Sequence, residues 1–494
     1  MSTTNITKLK FSEENIAKLF GAEAAEDEDF NRLQSYYLKN KTHEKVTSNL
    51  PLRILVGHKG IGKSAIFTMA RHEDERENRL SILVKPDDVD DINKDVSDFS
   101  QMIRGWKQGL LAIIVKKICD NLGLLIKDEQ QYTNIITGTG KVLNFFRSLF
   151  QKQIDDNVNI EEASKLLIGK FLMENRIVVY IDDMDRGWES RQNDIRRISA
   201  LLNAIRDLSN DNKGLQFRLS LRSDVYYLVR TSDESTDKIE GSVIWHSWTN
   251  HDILILLIKR IETFFGREVD VDKLRQTQQI YLAHYLESVF EKRFTGNGKW
   301  ENAPMYRILM SLIRKRPRDL VKLCTLAAKD AYDKDYNLIK TENLKNVFLE
   351  YSQGRIQDTV NEYRSELPDI QRLLLNMKPS SKELKDREGF IYDTSRLKRK
   401  INSIRERGRF KLANSKEADA QMLLQFMYKI NFITARKTMP DGFIDRKYFE
   451  ENKYLTSEVA DFGYDWEIHP AFRWALSQDN RDVFKLIDLS SDDK

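Results

Sequence analysis

Gly57-His58-Lys59-Gly60-Ile61-Gly62-Lys63-Ser64 directly follows the apolar run Ile54-Leu55-Val56 and opens into Ala65-Ile66-Phe67-Thr68-Met69-Ala70, which reads as the first turns of a helix. Strand, glycine-rich turn and helix in that order make a phosphate-binding loop. The glycines let backbone N–H groups curl around phosphates, and the helix N-terminus adds its positive dipole end. Lys63 then reaches the β and γ phosphates, and the Ser64 hydroxyl ligates Mg²⁺. The candidate nucleotide contacts are therefore Gly57, Lys59, Gly60, Gly62, Lys63, Ser64 and Ala65. An ordinary glycine-rich turn is the alternative, and the flanking strand and helix weigh against it. A second candidate, Gly138-Thr139-Gly140-Lys141, lacks the leading glycine, continues into Val142 instead of Ser or Thr, and has no strand before it.

Working outward, 494 residues exceed one core and imply two to four domains. Charged residues at 32% and apolar residues at 40% suit a globular protein, and a net charge of +4 spread over this length proves no nucleic-acid partner. The two cysteines, Cys119 and Cys324, sit in apolar helical contexts and imply no disulfide framework. No apolar run approaches the ~18 residues a membrane span needs, and the start Met1-Ser2-Thr3-Thr4-Asn5 has no secretory pattern. These features predict a cytoplasmic location without a membrane partner.

Residues 1–50 read as a polar, largely helical segment whose acidic patch, Glu23 to Glu28, suits a helix N-terminus. Leu80-Ser81-Ile82-Leu83-Val84 reads as a second strand, and residues 100–175 as a helical insertion. The next chemical element is Ile177-Val178-Val179-Tyr180-Ile181-Asp182-Asp183-Met184-Asp185-Arg186. An apolar strand ending in two carboxylates serves a Mg-nucleotide site: Asp182 holds Mg²⁺ through water, and Asp183 orients or deprotonates the attacking water. A solvent-facing acidic turn is the plain alternative. Arg186 either pairs locally with Asp185 or reaches a neighbouring subunit's nucleotide.

The strand Leu215 to Leu221 delivers Arg222-Ser223-Asp224 to its carboxyl end, where ligands of open α/β sheets bind. Arg222 is thereby suited to stabilise a γ-phosphate. A salt bridge from Arg222 to Asp182, Asp183 or Asp224 stands beside that reading with equal weight. Val243-Ile244-Trp245 reads as the fifth strand, and the helix Asp252 to Phe264 closes the core.

The phosphate loop, the Ile-Asp-Asp-Met-Asp-Arg segment, the strand ending in Leu-Arg-Ser-Asp, and Arg316-Pro317-Arg318-Asp319-Leu320 together resemble bacterial P-loop ATPases of the AAA+, STAND and KAP groups. The likeness is to a cytosolic subset with a Phe-Gly-x-x-Ala-Ala-Glu-Asp-Glu patch ahead of the loop, and it covers about residues 15–350. It implies an α/β fold with an additional-strand P-loop core and a helical lid, ATP and Mg²⁺ as cofactors, and Asp182 and Asp183 as metal and catalytic carboxylates. It also implies Arg222 as sensor arginine, and Arg316 or Arg318 as a lid arginine approaching the nucleotide. The membrane-spanning insertions common among KAP members have no counterpart here. Defence against phage or foreign DNA, beside a separate effector subunit, is the role such a resemblance implies.

Read from the residues alone, Arg314 to Leu320 is either a solvated helix start with Pro317 in its first turn or an anion-binding segment, since cations there oppose the helix dipole. Met377 to Lys382 reads as a linker. Beyond it, Arg396 to Lys411 holds eight Lys or Arg against one acid, Glu406. That run is either a solvated helix face or a contact to a nucleic-acid backbone. A helix at Met422 to Ile430, a hairpin over 432–444 and a strand Trp466 to Phe472 entering a helix form a winged-helix-like α+β region without a recognition array. The seven histidines show no ligand spacing, and His469 reads as structural.

The expected organisation is thus 1–50 helical, 51–265 ATPase core, 266–376 helical lid and 377–494 basic winged-helix-like domain. The expected function is Mg²⁺-dependent ATP hydrolysis that drives or resets a conformational change engaging a protein partner or double-stranded DNA. Alternatives are a nucleotide-gated switch, a DNA-binding regulator with little turnover, or a DNA-repair ATPase. Assembly as a homo-oligomer stays open.

Overall fold

The computed structural model describes residues 9–23, 25–77, 79–93, 96–121, 176–296, 298–385, 389–440, 444–452, 455, 463–477, 483–484 and 486–489. The decoy loop at 138–141 and most of the helical insertion lie outside them. The chain forms two units: Lys39–His58 with Lys63–His246, and the chain to Leu38 with Lys59–Gly62 and the chain from Ser247.

The first unit is built on strands β1 (Leu52–Gly57), β2 (Leu80–Val84), β3 (Ile177–Ile181), β4 (Leu215–Arg222) and β5 (Val243–Trp245). They form one sheet in the order β2-β3-β4-β1-β5, and every pairing is parallel. Parallel strands covered on both faces are apolar throughout: every residue of β3 is buried. Strand β4 lies between β1 and β3, so the phosphate loop and the acidic strand are not neighbours. That order defines an additional-strand P-loop core, an α/β fold.

The alternation along β4 suggests one wet face, yet Gln216, Arg218 and Ser220 are all buried. Each of the three side chains finds hydrogen-bond partners, as burial requires, although Arg218 Nε has none among the described residues. Arg218 donates to the Leu50 and Phe217 carbonyls at 2.9 Å and to the Ser48 carbonyl and Gln216 Oε1 at 2.8 Å. Burial lowers its guanidinium to about 10 all the same. The helices Lys63–Arg76, Phe99–Asn121 and Gln192–Asp211 accompany the sheet, and Met102, Trp106, Leu110, Leu201 and Ile205 join Ile54, Val179 and Phe217 in one core.

The second unit is mainly helical, with Glu13–Phe20, Phe30–Tyr36, Asn250–Phe264, Met305–Leu312, Pro317–Asp333 and Thr341–Tyr363 as its principal early helices. The acidic patch and the Asp29 that adjoins it serve several local ends. Asp29 caps the helix Phe30–Tyr36 through the Arg32 N–H at 3.0 Å, and Glu28 accepts from the Ala22 N–H and the Tyr36 hydroxyl at 2.8 Å each. A short hairpin, β6 (Arg293–Thr295) and β7 (Glu301–Pro304), interrupts the helices, where the sequence reading has only helix.

At the C-terminal end, β8 (Ile391–Tyr392), β9 (Ile433–Thr438), β10 (Ile444–Lys447) and β11 (Asp465–Ile468) form a sheet in the order β10-β9-β11-β8. With helices Thr394–Glu406 and Ala420–Lys429 between β8 and β9, the arrangement is winged-helix-like, as read. The supposed linker is packed instead: Met377 is fully buried in a core that runs from Ile356 to Leu486. Its apolar side chain is what the polar composition of the stretch conceals.

Candidate nucleotide site

The register places the chemistry. Gly57 at the end of β1 is level with Arg222 at the end of β4, and Ile181 of β3 is level with Leu219. The phosphate loop, Asp182 and Arg222 therefore leave the sheet at one carboxyl edge, where open α/β sheets bind ligands.

The loop turns through two left-handed glycines, Gly60 at φ 77° and Gly62 at φ 103°. No atom lies within 4 Å of where a Gly62 Cβ would stand, whereas a Gly60 Cβ would meet the Arg318 side chain at 3.0 Å. Lys63 donates to the Gly57 and His58 carbonyls at 2.9 and 3.2 Å, so its ammonium sits at the loop it is required to serve. Ser64 follows in the first turn of a 14-residue helix, where the dipole favours anions. Two supports escape the sequence reading because their partners are remote. Buried His58 lies 3.1 Å from the Ser223 hydroxyl through Nδ1, and Trp248 Nε1 donates to the Ile61 carbonyl at 2.7 Å.

Asp182 is buried at the tip of β3 and accepts a hydrogen bond from Ser220 Oγ. The Asp183 N–H also donates to Asp182 Oδ1, at 3.0 Å. Asp183 itself is exposed and adopts φ 62°, which turns the chain sharply after the strand. The local pair read between Asp185 and Arg186 is absent. Arg186 lies 3.9 Å from Asp183 Oδ2, and Asp185 faces Arg222. Burial pushes the Asp185 carboxyl up to about 6, against the pull of Arg222 and Lys63. Arg222 makes the salt bridge that the sequence leaves open: its Nε and a terminal nitrogen donate to Asp224 at 3.1 and 2.7 Å.

In the other unit, the basic segment is largely consumed internally. Arg314 donates to Asp319 at 2.8 and 3.1 Å, and Arg355 adds a bond at 2.7 Å. Burial would raise the Asp319 carboxyl, but these guanidiniums hold it well below the usual range. The cations that oppose the helix dipole thus answer a buried acid at its first turn. Arg316 is buried 3.6 Å from Glu362, whereas Arg318 is half-buried, donates to the Glu23 carbonyl at 3.0 Å and packs on Gly60.

The residues fit a nucleotide with Mg²⁺: a left-handed glycine cradle open beside Gly62, a lysine at the loop, a hydroxyl at the helix start and a hydrogen-bonded carboxylate at the facing strand tip. Among the described residues no cluster of three or more His, Cys, Asp or Glu side chains could hold a metal alone. Mg²⁺ is typically held by one or two protein groups with phosphates and water, which Ser64 and Asp182 would supply.

No family model matches the chain. It is 22% identical over 478 residues to an 80.3 kDa protein attributed to the gamma-delta transposon of Escherichia coli (strain K12), covering 88% of this chain and 65% of that protein, so the chain spans just under two thirds of its relative. Among solved structures it is similar to the Walker-type ATPase of Pyrococcus abyssi (12% identity, TM-score 0.40, 88% of this chain and 97% of the other). It is also similar to the ORC2 protein of Aeropyrum pernix (10% identity, TM-score 0.41, 91% and 94%). No helix among the described residues is long and apolar enough to cross a membrane.

Proposed function

We propose that this chain is a Mg²⁺-dependent ATPase whose hydrolysis drives or resets a conformational change. What supports the reading is the convergence of the phosphate loop, Asp182 and Arg222 at one carboxyl edge of the sheet. In it Lys63 and Ser64 bind phosphate and metal, Asp182 supports the metal, Asp183 positions water, and Arg222 answers the charge of the transferred phosphoryl group. Purified protein is tested for ATP hydrolysis with Lys63→Ala and Asp183→Asn as controls. Both variants lose turnover, and Asp183→Asn keeps ATP binding; native turnover in both would refute the site.

A second reading adds double-stranded DNA as a partner held by its backbone. In its favour, Arg399, Arg407 and Lys411 are exposed and, with Lys398, have no acidic partner among the described residues. The helix Ala420–Lys429, in the place of a recognition helix, buries Leu423, Leu424, Phe426, Met427 and Tyr428 instead of presenting a polar array. Turnover that rises on adding DNA would join the two readings. A cytoplasmic role in defence against foreign DNA, with a separate effector subunit, rests on the motif resemblance, and the relation to a transposon protein keeps mobile DNA in the same frame.

A further inference from the structure

One buried carboxylate at the sheet edge has no task in this scheme. Asp185 has a 5% exposed side chain, and its Oδ2 stands 3.5 Å from Arg222 Nε without a hydrogen-bond partner. Arg222, 16% exposed, donates to Asp224, also 5% exposed, at 3.1 and 2.7 Å. Two buried acids thus face one guanidinium, and only one of them is satisfied. A buried carboxylate oxygen without a donor is costly, so this contact is the weaker of the two.

The backbone explains how Asp185 gets there. Asp183 at φ 62° and Gly187 at φ 76° bracket a turn closed by the Arg186 N–H on the Asp183 carbonyl at 2.9 Å and the Trp188 N–H on the Asp185 carbonyl at 3.2 Å. The turn sends Asp185 back toward β4, beside the arginine that is level with Gly57.

We propose that Asp185 is a positioning residue that competes with the terminal phosphate of a nucleoside triphosphate for Arg222, and so sets the preference of the site for triphosphate over diphosphate. The inference rests on the nucleotide reading above. Asp224, bidentate, anchors the guanidinium throughout. Asp185 is the partner given up when a γ-phosphate arrives, because a phosphate oxygen offers Arg222 a charge-assisted hydrogen bond that Asp185 does not make. A diphosphate offers no such oxygen and leaves Arg222 with both acids. Release of Asp185 also frees the turn at 182–187, so the γ-phosphate is reported to the strand tip that carries Asp182 and Asp183.

The test measures dissociation constants of the full chain for ADP and for a non-hydrolysable ATP analogue, with Mg²⁺, in wild type, Asp185→Asn, Asp224→Asn and Arg222→Ala. Asp185→Asn removes the competitor and raises the preference for triphosphate about tenfold, a typical coupling size. Arg222→Ala lowers the preference, and Asp185→Asn adds nothing in that background. Asp224→Asn loosens the anchor and also lowers the preference, which decides the matter should Asp185→Asn fail to fold. An unchanged preference in Asp185→Asn, or an equal loss for both nucleotides, overturns the inference and spares the ATPase reading. Absence of nucleotide binding by wild type overturns both.

Discussion

Ser220 Oγ donates a hydrogen bond to Asp182 Oδ1 between the ends of β4 and β3, where Leu219 and Ile181 are level. The hydroxyl fixes the carboxylate that the ATPase reading assigns to Mg²⁺, and such supporting groups typically carry ten- to a hundredfold in metal affinity. Ser220→Ala is therefore expected to raise the Mg²⁺ concentration for half-maximal hydrolysis by about tenfold. Nucleotide affinity without Mg²⁺ stays unchanged. A Mg²⁺ titration of turnover checks it, and an unshifted midpoint would remove Ser220 from the site.

The Arg314–Asp319–Arg355 cluster predicts an asymmetric stability pattern. All three side chains are at most 3% exposed, so Asp319→Ala strands two buried guanidiniums and is expected to cost about 3–5 kcal/mol. Arg355 also meets Asp358 at 2.8 Å, but that carboxylate is 53% exposed, and Asp358→Ala should cost under about 1 kcal/mol. Denaturant unfolding of the two variants separates the cases; equal losses would contradict the burial argument.

Much of this architecture is legible because local pattern and tertiary role coincide. Ile54-Leu55-Val56 ahead of the glycines, and Ile177 to Ile181 ahead of two aspartates, fix a strand and its tip without any distant partner. Arg222 shows where legibility ends. Its place at a strand end follows from the sequence, and so does its near neighbour Asp224 as a possible partner, but the approach of Asp185 depends on a left-handed turn at Asp183 that no side-chain pattern announces. Arg218 and Met377 fail for a related reason: their environments are supplied by residues far along the chain, the Ser48 and Leu50 carbonyls in one case and a core shared with Phe390 in the other.

A pH-dependent contribution to stability is expected from His469. It is fully buried between the Ala471 N–H, on Nδ1 at 3.1 Å, and the Tyr448 hydroxyl, on Nε2 at 3.0 Å. Burial, with Arg314 and Arg446 nearby, lowers it to about 3, so the native imidazole is neutral. The unfolded chain binds a proton near the ordinary value of about 6.5. The stabilisation is thus present above that value and is lost as pH falls from 6.5 toward 3. Between pH 7 and 5 the loss amounts to about 2 kcal/mol. Asp185 runs the other way: its raised carboxyl favours the native state as pH falls from about 6. Burial alone would raise the Glu467 carboxyl, but Arg446, Arg473 and Arg436 pull it down to about 2, so its contribution is lost as pH falls from the ordinary carboxylate range toward 2, below the window from pH 7 to pH 5. The readout is therefore the difference in unfolding free energy between wild type and His469→Gln at each pH. It should shrink by about 2 kcal/mol from pH 7 to pH 5, and a constant difference would refute the assignment.

The basic run near residue 400 makes the last prediction, and its ion pairs decide which residues matter. Arg405 and Arg409 share Glu417, at 3.5 and 2.9 Å, and Lys400 pairs with Glu383 at 2.7 Å. Cations already answered by acids release few counterions on meeting a phosphate backbone, whereas unanswered ones release most of theirs. Arg399, Arg407 and Lys411 are exposed and have no acidic partner among the described residues. Reversing these three to Glu is expected to weaken binding to double-stranded DNA and to flatten the dependence of log affinity on log salt by about 0.9 for each phosphate that is no longer neutralised. Arg405→Ala with Arg409→Ala should do much less. Because the helix Ala420–Lys429 spends most of its side chains on the core and leaves only Gln421, Met422 and Gln425 partly exposed, duplexes of different sequence should bind nearly alike. Salt-dependent titrations on two unrelated duplexes test both parts at once. A marked preference for one duplex would assign base reading to another surface, and an unchanged salt slope in the triple reversal would remove this face from DNA binding.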